Sequence, residues 1–305
     1  MALLTVFTDN VIRQYRTSIV SKGLLFQLVV FVTTIVVPFF VAYSSRGFWM
    51  REGTYREQAD VTFRREVVLT LSGYQRTRIF FSSFSSFNHL LSDQLRVPLI
   101  RSREEDSNFD GLSDVLHFSL EMPLLPNDEV VSVQLLLFFD YRLKKYSELT
   151  LQGMIIMDES TPIQSAKFHF SGRLRLRQSG PLPASGQVNT YNVHAINTTS
   201  SFAQDYDITS IVTNYESRND TIYLDLASHV WKKGQSPNGK FIIVGTVYYP
   251  EQTISFRPGF WEVIKQAWIQ YLAILVIFVF VFRYIKLFVF QNQVINTTVT
   301  SPKLT

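Results

Sequence analysis

Two stretches of the chain lack the alternation of apolar and polar positions seen elsewhere. Residues 24–43, LLFQLVVFVTTIVVPFFVAY, run twenty residues without a charge, which matches the ~20 that a helix needs to cross a bilayer. Residues 267–282 are also free of charge, and Arg283 and Lys286 follow. Both of those side chains can snorkel their heads to an interface. Trp261, Trp268, Tyr271 and Tyr284 bracket this second stretch as interfacial aromatics do. Pro258 suits a first helical position, where its missing N–H costs nothing. A helix continued over residues 260–290 would be about 46 Å long at ~1.5 Å per residue, so one end should project as a short stalk. A core helix of a soluble protein keeps a polar face, which neither stretch has. The first stretch is also too long, and starts too far in, for a cleaved signal peptide.

Between residues 51 and 257 the pattern changes to short apolar runs broken by Gly, Pro, Asn and Asp. VTFRREVVLTLSG, DVLHFSLEMPL, EVVSVQLLLFFDYRL, LTLQGMIIMD, SAKFHFSGRLRLRQ, QVNTYNVHAIN, DTIYLDLAS and KFIIVGTVYYP each have the length and composition of a strand. In one of them Phe168, Phe170, Leu174 and Leu176 share a face, and Lys167, His169, Arg173, Arg175 and Arg177 share the other. The expected fold is mainly β: an antiparallel two-sheet sandwich inserted between two transmembrane α-helices. The expected divisions are a tail over 1–23, a span over 24–43, the β-rich domain over 44–257, a helix with its stalk over 258–290, and a tail over 291–305.

The 305 residues are 46% apolar and 18% charged, with a net charge of +4, and a β domain of this size can bury enough apolar surface to stand without disulfides. There is no cysteine, which excludes thiol catalysis, disulfide exchange and Cys-ligated zinc. Two spans place both tails on one side and the β domain on the other. The tripeptide NTT occurs at Asn197 and again at Asn296, and a third acceptor pattern begins at Asn219. The two NTT copies therefore face opposite sides, and only one of them can carry an N-linked glycan.

DSNFDGLSD sets Asp106, Asn108 and Asp110 at positions one, three and five of a calcium loop, with Gly111 at the turn, Leu112 offering a carbonyl at seven and Asp114 at nine. His117 stands where an EF-hand needs a bidentate Glu, so no EF-hand is present. A structural Ca²⁺ loop between strands and a hydrated Asx-rich turn both remain open. GQSPNGKF lacks the hydroxyl that closes a phosphate loop and precedes a strand rather than a helix, so it reads as a hairpin turn. The five histidines show no zinc-helix spacing, and no G-x-S-x-G elbow occurs. The row Arg173, Arg175 and Arg177 could meet an anionic partner or lipid headgroups, or form a solvated strand face. It lacks the interleaved aromatics of a nucleic-acid surface. Phe81, Phe84 and Phe87 read as loop plugs of the core or as a contact patch. Gln27 and Gln270 lie near opposite ends of antiparallel spans, so each needs another hydrogen-bond partner, which a neighbouring membrane protein could supply.

The blocks LRVPLIRSREEDSNFDGLSDVLHFSLEMPL, PGFWEVIKQAWIQYLAILVIFVFVFRYIKLFVFQNQV, YNVHAINTTSSFAQDYDITSIV and FVAYSSRGFW resemble the transmembrane protein 231 family over nearly the whole chain. That resemblance implies a two-pass protein with cytosolic tails and a lumenal or extracellular middle, at the ciliary transition zone. It implies as partners the membrane and B9-domain proteins of the tectonic-like (Meckel syndrome) complex, and as roles a diffusion barrier, cilium formation and Hedgehog signalling. Asn197 and Asn219 then become usable acceptors and Asn296 a silent one. The family brings no catalytic residues and requires no cofactor. The alternative is a lipid- or ligand-binding receptor subunit with a pocket between its sheets.

Glycosidase treatment of the expressed chain tests the topology. The mobility shift is expected to disappear in the Asn197→Gln, Asn219→Gln double variant and to survive Asn296→Gln.

Overall fold

The computed structural model describes residues 14–18, 21–45, 49–74, 78–196, 206–235 and 239–300. Its chain divides into two units. One comprises Met1–Arg51 with Gly259–Thr305, and the other is Glu52–Pro258.

In the first unit, β1 (Gln14–Arg16) is followed by α1 (Lys22–Ser44), and the chain returns later as α4 (Phe260–Gln291) and β15 (Thr298–Thr300). Ser21 Oγ accepts the Leu24 N–H and opens α1. Inside this helix the Thr33 and Thr34 hydroxyls donate to the Val29 and Val30 carbonyls at 2.7 and 2.6 Å, so no side-chain polar group of theirs faces hydrocarbon unsatisfied. The helices run antiparallel. Phe26 meets Phe290 near one end, the Tyr271 hydroxyl donates to the Ile35 carbonyl at 3.3 Å, and Ala42 and Ala267 are buried against each other's helix near the other. Small residues at that point let the backbones approach. Both helices are long and apolar enough to cross a membrane. Pro258 stands outside α4 and not at its first position: Gly259, in extended backbone, is the N-cap, and the chain turns helical only after it. β1 and β15 pair antiparallel.

The second unit is a sandwich. Its first sheet has the order β11-β8-β7-β3-β4, built from β3 (Asp60–Ser72), β4 (Arg78–Ser82), β7 (Ser132–Leu143), β8 (Glu148–Ser160) and β11 (Gln187–Val188). The second has the order β12-β9-β13-β6-β5, built from β5 (Leu99–Glu105), β6 (Val115–Pro123), β9 (Ser165–Gln178), β12 (Asp220–Lys233) and β13 (Lys240–Tyr248). β2 (Gly53–Glu57), β10 (Leu182–Pro183) and β14 (Gln252–Arg257) form a small third sheet. Most pairings are antiparallel, but β9 and β13 run parallel at the centre of the second sheet. β12 and β13 flank β9 instead of pairing with each other, so GQSPNGKF is a crossing connection and not a hairpin turn; residues 236–238 of it lie outside the described residues.

Leu69, Leu71, Leu135, Leu137, Phe139 and Tyr141 of the first sheet pack against Phe118, Leu120, Phe168, Phe170, Phe241 and Ile243 of the second, all of them buried. A second apolar cluster covers the outer face of the first sheet. There Val68, Leu136, Phe138 and Met154 meet Phe87 of α2 (Ser85–Leu90) and Ile211 and Tyr215 of α3 (Ile208–Glu216). With both its faces covered, β7 carries the unbroken run LLLFF, as a strand buried on two sides must.

QVNTYNVHAIN, expected as a strand, pairs only at Gln187 and Val188. Residues 189–196 are irregular, and two of their carbonyls are taken by a side chain from beyond α3. The Arg218 guanidinium donates to the carbonyls of Gln152, Val193 and His194 and lies over the rings of Tyr191 and Tyr215.

The Tyr215 hydroxyl fastens α3 to both sheets. It accepts the N–H of Met154 on β8 at 3.1 Å and of Ile222 on β12 at 2.9 Å, and donates to the Ile222 carbonyl. Gly153 leaves room for it, since a Cβ there would come within 2.9 Å of that oxygen. Burial pushes the phenol up to about 12. Tyr215→Phe leaves these backbone groups buried without their partner and is expected to destabilise the fold by about 1–3 kcal/mol, read as a lower Tm of the full chain in detergent.

Candidate docking surface

The two sheets differ in what covers them. The outer face of the first carries α2 and α3, whereas among the described residues of this unit no element lies on the outer face of the second. The register lays that face out in rows. Lys232, Lys167, Ile242, Glu121 and Leu99 make one, and Val230, His169, Val244, Ser119 and Arg101 the next. Asp225, Arg173, Tyr248, Val115 and Glu105 make a further one, beyond the row through Thr246 and His117. Aliphatic positions therefore run across the middle, and basic ones gather on β9 and β12.

The three arginines of β9 are not equivalent. Arg175 is paired with Asp225 on the neighbouring strand at 3.0 Å, and Arg173 and Arg177 are exposed. The alternation expected for this strand holds: Phe168, Phe170 and Leu174 are buried beneath it.

β12 is the edge of this sheet. At its start the Tyr215 hydroxyl occupies the outward backbone groups of Ile222. Beyond that point no described strand pairs with its free side, and a bulge interrupts it between Leu226 and Ser228. Tyr223, Leu226 and Val230 are 44%, 36% and 58% exposed. Long apolar edges of this kind are ordinarily covered, charged or shortened. Asn219, exposed, directly precedes the strand, and the third residue of its acceptor pattern, Thr221, is buried. Asn197 lies outside the described residues.

The DSNFDGLSD loop joins β5 to β6, an antiparallel pair. Its acidic and amide side chains turn back on the loop's own backbone. Asp106 accepts from the Gly111 N–H, Asn108 from Asp110, Asp110 from Leu112, and Asp114 from Ser107. The second Asp114 oxygen accepts the Gln58 amide at 2.8 Å, which with the Ser107 N–H holds this carboxyl below its ordinary range. Phe109 and Gly111 take the positive φ values the turn requires. Among the described residues no three His, Asp or Glu side chains converge as a metal-ion cluster would. Phe109, at the loop tip, is 90% exposed.

Gln27 is exposed on α1 and Gln270 partly covered on α4, at opposite ends of the helix pair. Ile35, Phe39, Phe40, Ile264, Trp268 and Tyr271 line an apolar groove between the two helices, with a volume of about 510 Å³. Phe81 lies within β4, partly buried against the inter-sheet core, whereas Phe84 and Phe87 pack in the outer cluster, Phe87 stacked on Phe80 at 5.1 Å.

One charged group of residues had no sequence signal. At the bulge in β3, where Arg65 has φ 61°, Arg64 bridges Glu66 and Asp140 at 2.9 and 3.0 Å. His194 Nε2 meets the same Glu66 at 2.8 Å, and its ring lies against Phe84 and Phe138. Glu66 and His194 are 128 positions apart, too far for any spacing rule to link them.

The sequence that forms this open edge, basic face and pair of helices is similar to a known family along its length. The family pattern of transmembrane protein 231 matches residues 1–299. The chain belongs to the transmembrane protein 231 family. Transmembrane protein 231 of Xenopus tropicalis is 44% identical over 303 residues, 99% of this chain and 97% of that protein. The Homo sapiens protein is 44% identical over 299 residues, 97% and 95% of the two chains. The Gallus gallus protein is 44% identical over 293 residues, 95% and 92%. Members of the transmembrane protein 231 family are thus similar to this chain from the first helix through the second.

Glu66 supplies a pH test. Burial alone would raise its carboxyl, but the hydrogen bonds from Arg64 and His194 outweigh that and hold it below the ordinary value of about 4.3. A carboxyl lowered on folding adds stability that is full above its unfolded pKa and is lost as pH falls through the folded one. Glu66→Gln is expected to lower Tm by a constant amount from pH 7 down to about 5, with the difference from the native chain shrinking below about pH 4.

Proposed function

We propose that this protein is a non-enzymatic two-pass scaffold of the ciliary transition zone. Its cytosolic tails flank a lumenal or extracellular sandwich that docks partner ectodomains. Family membership supports the setting, and the unpaired edge of β12 beside the open face of its sheet carries the docking role. An edge strand binds an extended segment by main-chain hydrogen bonds and selects it by side-chain pockets on alternate positions. Arg173, Arg177, Lys232 and Lys233 around this edge suit a segment of acidic character. The partners in this reading are the membrane and B9-domain proteins of the tectonic-like complex. Apolar contact along the α1–α4 groove adds packing against partner helices. Together these attachments build a crowded ring that limits diffusion between plasma and ciliary membranes, and cilium assembly and Hedgehog signalling depend on it.

Endogenous tagging tests this reading. Signal is expected as a ring at the ciliary base, and Leu226→Lys with Val230→Lys, both at exposed positions, is expected to cut recovery of complex partners about tenfold and to disperse the ring. A native protein spread evenly over the plasma membrane or endoplasmic reticulum, with none at the ciliary base, would sink the proposal.

A further inference from the structure

The room for a small molecule lies on the outer face of the first sheet. The layer between the sheets is occupied by buried side chains, so a pocket there does not suit the ligand-binding alternative. Between α2 and α3, however, a cleft of about 640 Å³ opens over the sheet, within the 300–1,000 Å³ typical of ligand sites.

The cleft follows from the register. Its floor is the cross-strand row Phe80, Thr70, Gln134 and Asp158, with Leu136 and Ile156 in the next row. Phe87, Leu90, Leu91 and Gln94 form the wall on the α2 side, and Tyr206, Ile208, Thr209, Val212 and Thr213 the wall on the α3 side. Two helices packed on one sheet face leave a trough between them wherever side chains do not meet, and here the sheet beneath it is mixed in character.

Three observations describe what would fill it. The first is the lining, whose floor and inner walls are dominated by aromatic and aliphatic side chains, so the body of the ligand is apolar. The second is the rim, where Arg78 offsets one of the two carboxylates Asp158 and Asp207; the one negative charge left over disfavours an anionic ligand. The third is a pair of buried polar atoms without hydrogen-bond partners, Thr70 Oγ1 and Gln94 Oε1. Thr70 is only 4% exposed, while Gln134, beside it on the floor, is already bonded to Asp158 at 3.0 Å. A buried polar atom left unpaired destabilises the fold, and a ligand that pairs it removes that cost. The Gln94 oxygen can only accept, and the Thr70 hydroxyl can give or take, so the complementary group is one that donates.

We propose that this cleft binds a neutral amphipathic small molecule, an apolar chain or ring bearing a hydroxyl group. The site is independent of the β12 edge and lies on the opposite sheet, so its failure and that of the scaffold reading are separable.

The test uses the full chain in lipid nanodiscs and a hexadecanol carrying a diazirine in mid-chain, with labelled peptides mapped by mass spectrometry. Probe dissolved in the bilayer labels α1 and α4 in every variant and serves as the internal control. Additional labelling is expected on peptides containing α2 and α3, competed by dodecanol and not by dodecane. Thr209→Trp and Thr213→Trp, both at exposed wall positions, are expected to reduce it about tenfold and leave α1 and α4 unchanged. Thr70→Val keeps the shape of the side chain and is expected to weaken dodecanol competition roughly fivefold. Labelling confined to α1 and α4, or cleft labelling indifferent to both tryptophans, would overturn the site. Equal competition by dodecanol and dodecane would overturn the hydroxyl requirement.

Discussion

The sandwich depends on one strand that has to leave water on both faces. From Val133 to Phe139 β7 is apolar at every position but Gln134, and six of these seven side chains are buried. Each such side chain gains roughly 1.5–3 kcal/mol when fully buried, so neither face of the strand can stay open. The second sheet covers the odd-numbered positions, Val133, Leu135, Leu137 and Phe139. Leu136 and Phe138 point the other way and require a second layer, which α2, α3 and the irregular segment around Ile196 provide. The Tyr215 hydroxyl and the Arg218 guanidinium then satisfy the backbone groups that this extra layer would otherwise strand.

This arrangement divides the labour between the two sheets. The first is covered on both faces and holds the partly buried charges at Glu66. The second buries one face only, and its exposed side combines aliphatic positions with a basic flank on β9 and β12. The edge itself is protected in part, by the Tyr215 cap at Ile222 and by the bulge after Leu226, and is left open between and beyond them. An edge with such selective protection fits controlled pairing with one partner strand better than indiscriminate aggregation.

In the helical unit the physics is that of lipid, where backbone groups find their partners within the helix and packing needs small residues. The Thr33 and Thr34 hydroxyls bond to carbonyls one turn earlier, and Ala42 and Ala267 allow close contact. Large apolar side chains remain exposed around both helices, among them Leu25, Phe31, Val276 and Phe288, as a hydrocarbon surrounding permits.

What the sequence determined by itself was local. Twenty uncharged residues make a span because each peptide group must bond within its own helix, and a period of two on β9 puts Phe168 and Phe170 inside because side chains alternate across a strand. The strands β3, β6, β7, β8, β9, β12 and β13 were legible for the same reason. Short or charged strands such as β5 and β14 were not, since neither shows enough apolar alternation to stand out from a loop. QVNTYNVHAIN misled because its Val193 and His194 carbonyls and its Tyr191 ring serve Arg218, a partner set by folding. Only the tertiary structure decided that β12 would be an edge, that β13 would run parallel to β9, that Glu66 would meet His194, and that Thr70 would lie beneath a cleft. Those outcomes depend on which distant segments become neighbours, and periodicity along a chain carries no record of that.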